Sequence, residues 1–101
     1  MKIWHVTNTD NVAEIRESGT IKATPQWVRT YDDNGQEIDI IEDRAYYCED
    51  EQSAVNLKEV MEYWREGALE IVELDAEEIH NPVKDSKTPE GWFSKKNIKL
   101  K

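Results

Sequence analysis

Asn34-Gly35 stands between two runs of strand-forming residues, Trp27 to Tyr31 before it and Gln36 to Ile41 after it. An Asn-Gly pair suits a type I′ turn, in which both central residues need positive φ. Residues 26–41 therefore predict a β-hairpin, and this commits the middle of the chain to antiparallel pairing.

The flanking segments fill in the rest. Residues 2–7, with Ile3, Trp4 and Val6, read as a first strand. A helix of about two turns follows, with Thr9 or Asp10 as N-cap, Val12 and Ile15 on one face, and Gly19 at its stop. Ile21 opens a short extended piece that Pro25 interrupts. Glu42-Asp43 separates the hairpin from a short strand at 44–48. Asp50 N-caps the main helix, which runs to Gly67; Ala54, Leu57, Met61 and Trp64 recur at helical spacing as its core face, with Val60 beside them. Residues 68–74 predict a strand and 75–79 a single helical turn. Pro82, Asp85, Ser86, Thr88 and Pro89 mark 80–90 as a loop. From Trp92 the chain ends in one strand or two short ones. The order β-α-ββ-β-α-β-β predicts an α+β fold with a largely antiparallel sheet and two main helices. At 101 residues, positions 1–101 make one domain.

Four Trp, four Tyr and one Phe supply large buryable area, so the net charge of −9 belongs to a folded domain and not to a disordered acidic tail. No run approaches the ~18 apolar residues of a membrane span. The N-terminus has no signal-peptide hydrophobic region. A lone cysteine, Cys48, makes no internal disulfide, which points to a reducing, cytoplasmic setting. Two His and one Cys, far apart, match no zinc spacing, so no metal is expected. The acidic balance opposes direct binding of a nucleic-acid backbone and favours basic partners.

The charge is uneven. Residues 1–81 carry seven basic and twenty acidic groups, whereas 82–101 carry six Lys against Asp85 and Glu90. That basic end is either a solvated terminus or a surface facing the acidic body or an anionic ligand. From Asp32 to Glu51, nine acids stand against Arg44 alone. They form either a solvated face or a docking surface for a basic partner.

Generic motifs add little. Glycines at 19, 35, 67 and 91 are too scattered for a phosphate loop, and no nucleophile-elbow pattern occurs. His5 is polar on an otherwise apolar strand, so it is either a hydrogen-bonded structural residue or a ligand. Tyr46 and Tyr47 are core and rim aromatics or a stacking surface, and strand alternation allows only one of them to face a given cleft. Cys48 reads as a small buried hydrophobe, because the acids that follow raise its thiol pKa. His80 reads as a loop residue. Ion pairs with nearby acids are expected of Arg16, Arg29, Arg44 and Arg65. Trp27, beside Pro25 and the hairpin, is the tryptophan expected to be exposed.

Three pieces in succession carry more information. The first is Trp4-His5-Val6-Thr7, followed by Asn11-Val12, Ile15 and Gly19-Thr20-Ile21. The second is Ala45-Tyr46-Tyr47-Cys48, with Asp50 and Ala54 opening a helix. The third is Leu69 to Asp75, then Gly91-Trp92-Phe93-Ser94 and Ile98. This succession resembles the ADP-ribosyltransferase superfamily, including its small bacterial and phage members and, more distantly, the RNA 2′-phosphotransferases. The resemblance touches about two-thirds of the chain. It implies a split antiparallel sheet with NAD⁺ in the cleft and transfer of ADP-ribose to a macromolecular acceptor, or a degenerate relative that only binds NAD⁺. By that likeness His5, with Thr7 beside it, would contact the adenosine-side ribose. Tyr46 or Tyr47 would stack on nicotinamide. Glu90 is the nearest match to the catalytic carboxylate that favours a cationic ribosyl transition state. The competing reading is a non-enzymatic acidic inhibitor or immunity-type protein that presents residues 32–51 to a basic partner.

Overall fold

In the computed structural model, which describes residues 1–65 and 67–101, two antiparallel sheets share an α+β core with two helices. The elements are β1 (Lys2–Asn8), α1 (Thr9–Ser18), β2 (Thr20–Ile21), β3 (Thr24–Tyr31), β4 (Glu37–Tyr47), α2 (Glu51–Glu62), β5 (Leu69–Glu78), β6 (Val83–Lys84), β7 (Trp92–Ser94) and β8 (Ile98–Leu100). One sheet has the order β1-β5-β8-β2 and the other β3-β4-β7-β6. The split sheet expected from the sequence is therefore present. The two halves touch through main-chain hydrogen bonds between Trp4 and Cys48, at 3.0 Å from Trp4 N to Cys48 O and 2.7 Å in return.

Alternation along β1 explains how one strand serves two cores. Ile3 faces a cluster that includes Ile15 of α1, Ala45 and Tyr47 of β4, Val72 of β5 and Ile98 of β8. Trp4 and Val6 face the other way, onto Cys48, Ala54, Leu57 and Met61, where α2 packs. β1 pairs with β5 over its whole length, with His5 opposite Val72. Helix α1 stops at Gly19, whose φ of 66° is the left-handed conformation that glycine adopts freely, and Gly19 N–H caps the Ile15 carbonyl at 2.9 Å. Helix α2 is N-capped as expected. Asp50 accepts from the Ser53 amide at 2.7 Å and from the Ser53 hydroxyl at 3.1 Å.

Several local expectations are corrected. The hairpin is present, with Trp27 opposite Ile41, but its turn is not type I′. Gly35 N–H donates to the Asp32 carbonyl, Asp32 N–H donates to the Gln36 carbonyl, and only Gly35 has positive φ there, at 78°. This is a type I turn closed by a glycine bulge, and Asp32 Oδ1 reinforces it by accepting from the amides of Asn34 and Gln36. Glu42-Asp43 does not break the strand, so β4 runs from the hairpin through Tyr47. Residues 75–78 continue β5 instead of forming a helical turn, because Ala76 turns inward to the core and pairs with Leu100. Helix α2 ends at Glu62, not Gly67, and Trp64 beyond it is 83% exposed instead of buried. The chain ends in two short strands, β7 and β8. Among the described residues no helix is long and apolar enough to cross a membrane.

Candidate functional site

A cleft of about 580 Å³ opens where β1, α1, β3, β4 and the 85–91 loop converge, and His5, Thr7, Tyr46 and Tyr47 all line it. The first strand supplies His5 and Thr7 on one face, two residues apart, as alternation requires. Thr7 is buried, and its hydroxyl accepts from the Asn11 side-chain amide of α1 at 3.2 Å. The short connection from β1 into α1 brings Asn11 back over Thr7.

His5 Nδ1 lies 2.8 Å from the main-chain carbonyl oxygen of Tyr46. A carbonyl can only accept, so Nδ1 carries the proton and Nε2 is left as an acceptor in the neutral ring. Burial lowers the His5 pKa below its ordinary value; the bond to Tyr46 opposes this, and the Arg65 charge adds to it. The site therefore holds a neutral imidazole of fixed tautomer at neutral pH.

Both tyrosines border the cleft, although their side chains point to opposite sides of β4. Tyr47, on the side of Ala45, is 2% exposed and belongs to the core, and burial with the nearby Glu49 charge pushes its phenol up to about 12. Tyr46 lies on the opposite side with Arg44. Its ring sits 5.7 Å from that of Phe93, and the Arg44 guanidinium stacks 3.8 Å above the Phe93 ring centre. Arg44 Nη1 also donates to the Tyr46 hydroxyl at 3.4 Å.

Glu90 is half-buried in the loop before β7 and is not among the residues lining the cleft. Its charge reaches Cys48 instead. Burial, then the Asp50 and Glu90 charges, push that thiol up to about 11, in keeping with a buried, inert cysteine. Among the described residues, the carboxylates lining the cleft are Glu14, which pairs with Lys22 at 3.2 Å, and Asp85, whose Oδ1 accepts from the Lys87 amide at 3.0 Å. The sequence reading named Asn11 in its first motif and Asp85 in its loop, but gave neither these nor Glu14 a place in the site. The lysine-rich end was the available signal, since Lys87 of that segment lines the cleft.

Charge on the cleft wall opposes that of the molecule. Among the described residues, Lys22, Arg29, Arg44, Arg65 and Lys87 line it against Glu14 and Asp85. The expected ion pairs form for Arg29, with Asp39 at 3.1 Å and Glu37 at 3.6 Å, and for Arg44, with Glu42 at 2.8 Å. Among the described residues Arg16 and Arg65 have none. The acidic run is largely committed inside the molecule. Glu37 and Asp39 meet Arg29, Glu42 meets Arg44 and Lys95, Asp32 holds the turn and Asp50 caps α2. Among the described residues no three His, Cys, Asp or Glu side chains gather as metal ligands. Comparison with family models, with curated proteins and with solved structures gave no match in any of the three.

Proposed function

We propose that the cleft binds NAD⁺ and that the chain is an NAD⁺-binding domain of ADP-ribosyltransferase type. The observation that carries this reading is the neutral His5, locked by the Tyr46 carbonyl with Nε2 left as an acceptor, inside a cleft whose wall is cationic in an otherwise acidic molecule. The cleft volume falls within the roughly 300–1,000 Å³ of small-molecule sites. A ribose hydroxyl can donate to Nε2, and Arg65 and Lys87 supply positive charge for a diphosphate. Thr7, oriented by Asn11, adds a polar group beside His5. The half-buried Val28, Leu57 and Met61 offer apolar surface to a base or nicotinamide ring.

The reading rests on binding. Transfer of ADP-ribose would call for a carboxylate at the ribosyl carbon, and Glu90 stands outside the cleft lining. The test is titration of the purified protein with NAD⁺, followed by tryptophan fluorescence and by amide chemical shifts. Saturable binding with shifts at His5, Thr7 and Tyr47 supports the reading. No saturation at millimolar NAD⁺ overturns it.

A further inference from the structure

Strand β3 is the free edge of its sheet, and it packs to any extent only against β4. Natural edge strands are usually short, bulged, or interrupted by proline or charge. β3 has eight residues in unbroken register with β4, from Thr24 opposite Arg44 to Tyr31 opposite Glu37. Its proline, Pro25, sits at the start. Its one charge, Arg29, is already matched by Asp39 and Glu37. The ribbon also leaves Trp27, Tyr31 and Ile41 exposed.

The turn fixes which main-chain groups are free. Asp32 N–H donates to the Gln36 carbonyl, so the Asp32 main chain faces β4. Main-chain direction alternates along an antiparallel strand, so Thr30, Val28 and Gln26 also face β4. Tyr31, Arg29, Trp27 and Pro25 turn their polar groups outward. The free edge therefore offers three N–H donors, at 27, 29 and 31, and carbonyls at 25, 27, 29 and 31.

We infer that this edge pairs antiparallel with the same edge of a second copy of the chain, about a two-fold axis at Val28. In that register the Trp27, Arg29 and Tyr31 amides of each copy meet the Arg29, Trp27 and Pro25 carbonyls of the other. The missing proline N–H falls at the end of the ladder, where nothing is lost inside it. Arg29 lies beside Trp27 of the other copy, a cation against an aromatic face. Val28 meets Val28, with Ile40 flanking each, so one face gains a continuous apolar strip. Neighbouring registers are worse. Centring on Arg29 sets like charges directly opposite. Centring on Trp27 sets Tyr31 against Ala23, which lies outside the strand and whose amide is already bonded to Asn97. The interface is isologous and closes as a dimer.

Sedimentation velocity from low-micromolar to near-millimolar protein tests this on the wild type, on Val28→Lys, on Val28→Glu and on an equimolar mixture of the two variants. The expected result is a wild-type dimer, monomers for each variant alone because like charges meet at the axis, and a heterodimer in the mixture. Amide exchange on the wild type gives a readout free of any folding defect in a variant: protection at Trp27, Arg29 and Tyr31 rises with concentration, while Val28 and Thr30 are protected throughout. A wild-type monomer at near-millimolar concentration with unprotected Trp27, Arg29 and Tyr31 amides overturns the proposal. So does a mixture of the variants that stays monomeric.

Discussion

His5 of the first strand reaches across to the main chain of Tyr46, with Nδ1 2.8 Å from the Tyr46 carbonyl oxygen. This contact joins β1 of one sheet to β4 of the other, one residue beyond the Trp4–Cys48 bridge. A side chain that sets the cleft's chemistry thereby also helps hold the two sheets in place, and substitutions can separate those roles.

Asparagine places its amide nitrogen near the position of Nδ1 but has nothing at Nε2. His5→Asn is expected to keep the bond to Tyr46 and the fold while losing the acceptor offered to a ribose hydroxyl. The affinity for NAD⁺ should fall about two- to thirteenfold, as expected for one hydrogen bond of about 0.5–1.5 kcal/mol. Calorimetric titration alongside a thermal melt checks this. Unchanged affinity in a folded His5→Asn would remove His5 from the site.

Acid should weaken the fold in two separate windows. The His5 pKa is lowered from its ordinary 6.5, chiefly by burial, so just below pH 6.5 the unfolded chain takes up a proton that the folded one refuses. Stability is complete above 6.5 and falls as pH drops from there towards the folded-state value. Glu42, Asp50 and Asp75 have pKa values lowered from 4.5, 3.8 and 3.8, so their contribution is present above those values and lost below them. Urea melts across pH should show both phases. In His5→Gln the upper phase should vanish and the lower one remain.

The parts of the fold that were legible in the sequence are those governed by local chemistry. Gly19 ended α1, Asp50 capped α2, and strand-forming residues marked β1, β3 and β4. The parts that were not legible depend on distant neighbours. Asp75 to Glu78 reads as polar and helical, yet Ala76 is drawn inward by pairing with Leu100, and the Met1 carbonyl accepts its amide. Trp64 has the spacing of a core residue, but α2 stops at Glu62 and Trp64 is left 83% exposed. At the site, the resemblance named His5, Thr7 and the tyrosines, and all four border one cleft because β1 and β4 lie side by side there. Glu90, named by the resemblance alone, stands outside the cleft lining, and its loop has no periodicity from which to read a direction. Asp85 and Lys87 of that same loop do face the cleft.

Cys48 should be inert in the native protein. Its side chain is fully buried, and burial with the Asp50 and Glu90 charges raises the thiol from 9.0 to about 11. At mildly alkaline pH this leaves about a hundredfold less thiolate than an ordinary cysteine, before access is considered. Reaction with a disulfide reagent should be slower than in the denatured chain by more than that factor. A native rate close to the denatured one would mean that the Trp4–Cys48 junction opens readily.

The hairpin turn gives a prediction that separates its two possible geometries. In a type I′ turn Asn34 and Gly35 would both sit at positive φ, and replacing either by alanine would strain the backbone. In the observed turn Asp33 and Asn34 occupy the two central positions with negative φ, and only Gly35 is left-handed. Gly35→Ala is therefore expected to cost about 1–2 kcal/mol, the penalty for a Cβ in that conformation. The strain is backbone strain alone, since nothing crowds the space a Cβ would fill. Asn34→Ala keeps the amide that Asp32 Oδ1 accepts and should stay within about 0.5 kcal/mol of wild type. Equilibrium urea unfolding of the two variants measures both. Equal losses would restore the type I′ geometry that the Asn-Gly pair first suggests.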